Sequence, residues 1–264
     1  MSQPIKIVSR IRLKDFNPDF HEGLDKDEAR EKTERLCRRI GEHQDLLHAS
    51  GTKSLLILLQ GMDTSGKDGA VKHVFDAVNP AGVESTSFKT PTSEEAAHDF
   101  LWRVHHAVPR YGNIGIFNRS HYEEVLVVRV LELKPRTVWQ RHYEEINAFE
   151  RLLTQNNVVL LKFFLHISRE EQGRRLQARI DDPHKNWKFQ PEDLHMRAHW
   201  NEFMRAYEDA INRCSTAHAP WHIIPANRKW FRDLAIARIV VDAMERMKLK
   251  WPKPAEGLSK IKIK

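Results

Sequence analysis

The sequence predicts an α/β fold of the P-loop kinase type: a three-layer α/β/α sandwich on a parallel sheet of about five strands, with a helical lid and an N-terminal helical extension. Three observations predict it. Short apolar runs alternate with longer segments of helical period. The run Leu55-Leu56-Ile57-Leu58-Leu59 feeds directly into the loop Gly61-Met62-Asp63-Thr64-Ser65-Gly66-Lys67-Asp68. A second run, Val158–His166, is apolar except for Lys162 and its last residue, as suits a strand buried on both faces of a parallel sheet.

Taken in order, residues 2–18 are basic and without helical period, and Asp25–Ala49 follows as a charged helix with Ala29, Leu36, Ile40 and Leu47 as its stripe. Residues 1–50 therefore read as an arm and helix packed on a core domain spanning 51–247. The strand Leu55–Gln60 opens that domain. The helix after its loop is expected to start near Gly69 and run through Val71, Val74 and Phe75 until Asn79-Pro80 stops it. A second strand fits Val83–Phe88. Ser93–Ala107 reads as one helix with an N-cap at Ser93 and Ala97, Leu101 and Val104 at helical spacing. Asn113–Phe117 is the third strand, Val138–Leu153 a long amphipathic helix, Val158–His166 the next strand and Trp221–Pro225 the last. The segment about 170–195 is the lid, and 248–264 a basic, proline-containing tail.

Composition narrows the function classes. With 264 residues, 41% hydrophobic and 30% charged, the chain can bury one sizeable core. A formal charge of +7 favours anionic partners. Cys37 and Cys214, the two cysteines, lack metal-ligand spacing and read as inert thiols of a cytoplasmic protein. There is no signal-peptide h-region, and no apolar run is long enough for a bilayer. His98, His105 and His106 share a predicted helix without the spacing of a zinc hydrolase. Trp102, Trp139, Trp187, Trp200, Trp221 and Trp230 read as core or interface anchors, since none alternates with basic residues as a base-stacking platform would.

Chemistry concentrates in three clusters. In the loop, the backbone N–H groups of Gly61, Thr64, Ser65 and Gly66 and the start of a helix face a polyanion, and Lys67 reaches the transferring phosphoryl group. Asp68 stands where a Walker A loop carries Ser or Thr, and Asp63 adds a second anion. Two carboxylates beside a phosphate imply bridging Mg²⁺. The third strand ends in Asn118-Arg119-Ser120-His121-Tyr122-Glu123, where Arg119 is placed to stabilise charge and Glu123 or Asn118 to hold metal; a plain surface loop is the competing reading. The third cluster, Arg174-Arg175 through Arg179 to Lys185 and Lys188, suits a lid over phosphates or, equally, a solvated helix face. Lys72, Lys89, Arg103, Arg110 and Arg129 are candidates to border the same crevice.

Together GMDTSGKDGAVKHVFDAVNPAGV, SFKTP, FNRSHYEEVLVVRV and RLQARIDDPHKNWKF resemble the second polyphosphate kinase family, from about residue 25 to 247. The resemblance implies a thymidylate-kinase-like fold and Mg²⁺-dependent transfer of the terminal phosphate of inorganic polyphosphate to a nucleotide. Many members carry Asp at the position of Asn118 and Asn at that of Glu123; this chain is similar to the single-domain class III branch, which accepts both AMP and ADP. By the same resemblance Asp63 is the Mg²⁺ and acceptor-phosphate residue, with Glu123 sharing the metal. Lys67 is the phosphate clamp, Arg119 the transition-state cation, and Arg179 and Lys188 lid contacts. It also implies adenine nucleotides as acceptors, with guanine nucleotides left open, and a dimer or tetramer. No membrane or nucleic-acid partner is expected. An ATP-dependent nucleotide kinase and a non-enzymatic polyanion-binding scaffold are the other two readings.

Overall fold

The computed structural model describes residues 5–7 and 9–257; the remainder of the arm and the tail calls, at 1–4, 8 and 258–264, lie outside the described residues. Within them the chain runs β1 (Ile5–Lys6), α1 (Lys26–Ser50), β2 (Ser54–Gln60), α2 (Lys67–Val74), β3 (Val83–Ser87), α3 (Ser93–Ala96), α4 (Trp102–His106) and β4 (Ile114–Asn118). It continues as α5 (Val127–Val130), α6 (Arg136–Gln155), β5 (Val158–His166), α7 (Arg169–Asp181), α8 (Pro191–Ala198), α9 (Trp200–Cys214), β6 (Trp221–Pro225) and α10 (Lys229–Arg246).

One sheet holds the strand order β1-β6-β5-β2-β4-β3. The five strands read from the sequence are mutually parallel, with Leu55 level with Ile114 on one side and Val159 on the other. All seven residues of β2 are buried, which is why it carries no polar alternation. α1, α2 and α10 pack together as one helical layer; α5, α6 and α9 form another. The β2 strand lies between β4 and β5, so the chain leaves the sheet in opposite directions around it, and the crevice opens at its carboxyl end.

Four expectations are corrected. The arm contributes a sixth, antiparallel strand: Ile5 and Lys6 pair with Ile223 and His222 and cover the exposed edge of β6. The helix after the loop starts at Lys67 and ends at Val74, before Asn79, which is gripped by Gln44 of α1 through 2.9 and 3.1 Å bonds. Ser93–Ala107 is two short helices, because Asp99 accepts from the Leu101 amide at 2.9 Å and diverts the backbone between them. Finally, α9 and α10 occupy stretches to which the sequence reading assigned no helix. Cys37 and Cys214 are free, buried thiols, pushed up to about 11 and about 12 by burial.

Candidate active site

At the carboxyl end of β2 the loop turns through conformations that few residues adopt. Gly66 sits at φ 100°, and a Cβ there would collide with the Arg232 guanidinium. Thr64 and Arg119 both sit at φ 63°, left-handed geometry that costs about 1 kcal/mol or more for a residue with a Cβ. Strain at two adjoining strand ends marks the place where side-chain direction matters more than backbone comfort.

The two strand ends meet. Arg119 donates from Nη2 to the Asp63 carboxylate at 3.0 Å, and the Asn118 amide donates to Asp68. Lys67 is buried with its ammonium donating to the carbonyls of Gly61 at 2.8 Å and Met62 at 3.3 Å, curled over the loop it closes. Burial pushes the Lys67 pKa down, with Asp63 pulling the other way. For Arg119 burial also acts downward, but Glu123 and Asp63 outweigh it and hold the guanidinium more firmly charged. Glu123 sits on the turn after β4; burial pushes its pKa up, against Arg119. The hydroxyls of Thr64 and Ser65 are buried without a hydrogen-bond partner.

Asp63 and Glu123 are hard oxygen donors beside this loop, while among the described residues no group of three or more His, Cys, Asp and Glu gathers into a protein-only metal cage. Such a donor set fits Mg²⁺, which takes one or two carboxylates plus substrate phosphates and waters. It does not fit zinc. His105 and His106 lie on α4, with His98 just before it, and His98 and His106 pack on Trp102 at 4.3 and 4.5 Å between centroids as an aromatic cluster.

The other candidates are distributed unevenly. Arg179 donates to Asp193 at 3.2 Å, and Asp193 lies close enough to Asp63 and Arg119 to feel both charges, so α7 and α8 border the crevice. Lys188 rests over the Trp187 ring at 5.1 Å; Trp187 is 73% exposed and so is no part of the core. The Lys89 carbonyl accepts from Arg103. Arg129 is not in the crevice cluster: it is bonded to Asp209 at 2.7 Å and Tyr143 at 3.1 Å and stacked on Trp139, tying α5 to α6 and α9. Lys72 lines a cleft of about 1050 Å³ with Lys26, Arg30, Arg38, Arg228 and Lys229; Glu34, Asp76 and Asp233 share the lining, so cations outnumber carboxylates by six to three. Lys229 feels the charges of Arg175 and Arg232 under the loop, which places the mouth of this cleft next to it.

The family model described as Polyphosphate kinase 2 matches residues 23–252. The chain belongs to the polyphosphate kinase 2 family. It is 48% identical over 256 residues to the AMP/ADP-polyphosphate phosphotransferase of Meiothermus ruber, covering 96% of each chain. It is 40% identical to the ADP-polyphosphate phosphotransferase of Rhodopseudomonas palustris over 85% of this chain and 83% of that one. The crystal structure of polyphosphate kinase 2 from Arthrobacter aurescens superposes with a TM-score of 0.95 at 40% identity, covering 98% of this chain and 95% of that chain. As a polyphosphate kinase 2 fold, the molecule has its P-loop at the strand predicted for it.

Several residues around the loop escaped the sequence reading. Gln172 donates to the Asp63 carbonyl at 3.3 Å, and Gln60 donates to Ser120 at 3.1 Å beneath the Arg119 turn. Tyr207 is buried on α9 and feels Glu123 and Asp63. The spacing Trp200, Phe203, Ala206, Tyr207, Ala210, Ile211, Cys214 is a helical stripe that would have announced α9.

Proposed function

We propose that this polyphosphate kinase 2 family member transfers the terminal phosphate of inorganic polyphosphate to AMP and to ADP, giving ADP and ATP. The observation that carries the reading is the convergence of Lys67, Asp63 and Arg119 at the ends of two adjacent parallel strands. Phosphoryl transfer asks chiefly for positioning and charge neutralisation. Lys67 and Arg119 neutralise the group in flight, and the strained Arg119 backbone fixes the direction of its guanidinium. Asp63 and Glu123 would hold Mg²⁺, which when bound supplies charge neutralisation between donor and acceptor phosphates. Attack comes from an acceptor phosphate oxygen, already ionised at neutral pH, so no strong general base is needed.

The donor's length accounts for the cleft. A chain with one negative charge per internal phosphate is steered and held by Lys26, Arg30, Arg38, Lys72, Arg228 and Lys229, beginning beside the loop. Segment 169–198, with Arg179 and Lys188, acts as the lid. The family resemblance and the Meiothermus ruber relative support use of both acceptors. The same reading includes a homo-oligomer and a cytoplasmic setting; no helix among the described residues is long and apolar enough to cross a membrane.

The test is incubation with Mg²⁺ and long-chain polyphosphate, supplying AMP or ADP separately, followed by chromatography of the nucleotides. Product from both acceptors supports the proposal. Product from ADP alone removes the dual-acceptor reading, and no product removes the reaction.

A further inference from the structure

Arg175 stands in sequence among the lid cations, yet its guanidinium is turned into the carbonyls of the phosphate loop. Nη1 donates to the carbonyls of Thr64 at 2.9 Å and Ser65 at 3.1 Å, and Nη2 to those of Ala226 at 2.6 Å and Asn227 at 2.8 Å. Nε donates to Glu171 at 2.6 Å. A guanidinium has five N–H groups, so every donor is committed and none remains for a phosphate. The side chain is only 9% exposed.

We propose that Arg175 is a positioning residue for the donor phosphate, holding the peptide units of the loop from behind. This rests on the reading of the loop as the polyphosphate site. Two consequences follow from peptide chemistry. Thr64 is in a left-handed conformation that persists only if its surroundings over-determine it, and the bond to its carbonyl does so. The Ser65 carbonyl belongs to the same peptide unit as the Gly66 N–H. A cation on the carbonyl side draws electron density through that unit and strengthens the N–H as a donor to an anion. The Thr64 carbonyl likewise shares a unit with the Ser65 N–H, which closes the loop's own turn onto Met62 at 3.0 Å.

The bracket extends backwards to the arm. Asn227, one of the carbonyls Arg175 holds, receives the Ser168 amide at 2.9 Å on its side-chain oxygen and donates from its side chain to Asp19 at 3.1 Å; its own amide donates to Pro18. The arm, the end of β6, the start of α7 and the phosphate loop are therefore joined through one side chain. Arg232, packed against Gly66, bonds Asp233 through two of its five N–H groups, at 2.8 and 2.6 Å, and makes no bond to the carbonyls of Thr64 and Ser65 that Arg175 holds.

The test compares wild type, Arg175→Lys and Arg175→Ala by steady-state kinetics and by calorimetric binding of inorganic tripolyphosphate. Lysine keeps the charge but lacks the planar fork that serves five acceptors at once. Both variants are expected to lower kcat/KM for polyphosphate by about 30-fold or more, the scale of lost bonds to a charged group, with KM for ADP within about twofold. Tripolyphosphate binding should weaken in parallel, and millimolar guanidinium should restore part of the Arg175→Ala activity. Wild-type values for Arg175→Lys would overturn the proposal. So would an equal loss for polyphosphate and ADP that guanidinium does not recover. Should wild type itself transfer no phosphate, the functional reading fails; equal tripolyphosphate affinity in wild type and Arg175→Ala then overturns the Arg175 proposal independently.

Discussion

Arg119 and Asp63 form a 3.0 Å ion pair between the ends of β4 and β2, joining the residue read as the transition-state cation to the one read as the metal-holding anion. The pair sits at the two strained strand ends, so each side chain constrains the direction of the other. Asp63→Asn preserves the shape and one acceptor for Arg119 while removing the charge. The rate of transfer is expected to fall by about 10²–10³-fold, the usual scale for removing one preorganised electrostatic group, with the circular dichroism spectrum unchanged. Initial rates at saturating Mg²⁺ check it; a rate within threefold of wild type would detach Asp63 from the chemistry.

A buried ion pair lies behind the same turn. Lys162 and Glu150 are both fully buried and in contact, and the lysine also donates to the Tyr122 hydroxyl and the Cys214 carbonyl. Removing one partner leaves an uncompensated charge, so Glu150→Leu is expected to destabilise the fold by about 3–5 kcal/mol, and Glu150→Leu with Lys162→Met by much less. Urea denaturation of the two variants measures the difference.

Acid should weaken the fold through two histidines. Burial holds His166 and His222 down at about 4, below the ordinary value of 6.5. Both are neutral in the folded protein, and the unfolded chain binds the extra protons between those two limits. Their contribution is therefore complete above about pH 6.5, declines as pH falls and is exhausted near pH 4. Each accounts for roughly 2 kcal/mol of lost stability between pH 7 and pH 5. Urea midpoints across that interval check the slope, and replacing His222 with Gln should flatten it.

Charge steering gives a kinetic prediction. If the cleft with Lys72 and Lys229 guides a polyanion, kcat/KM for polyphosphate should fall several-fold between about 0.01 and 0.15 M salt, as the screening length contracts from about 30 to 8 Å. KM for AMP, with far fewer charges, should move less.

The central strands were legible because burial on both faces leaves a run such as Val158–His166 nothing to alternate with. The loop was legible because glycine, lysine and helix start must fall at fixed spacing. What escaped depends on contacts distant in sequence. No local pattern says that Arg175 turns toward Thr64 and Ala226 while Arg179, one helical turn further on, bonds Asp193 beside the crevice. Nor does it say that Arg129 is consumed by Asp209, eighty residues away. The break at Asp99 is a local competition between side chain and helix that apolar spacing overlooks.

The most direct measurement is ³¹P NMR of the protein with Mg²⁺, polyphosphate and ADP, with no ATP added. The resonance of internal polyphosphate units is expected to decline while the three resonances of ATP appear, and Lys67→Met is expected to abolish the change. A polyphosphate spectrum that stays constant in the presence of folded wild-type protein would contradict it.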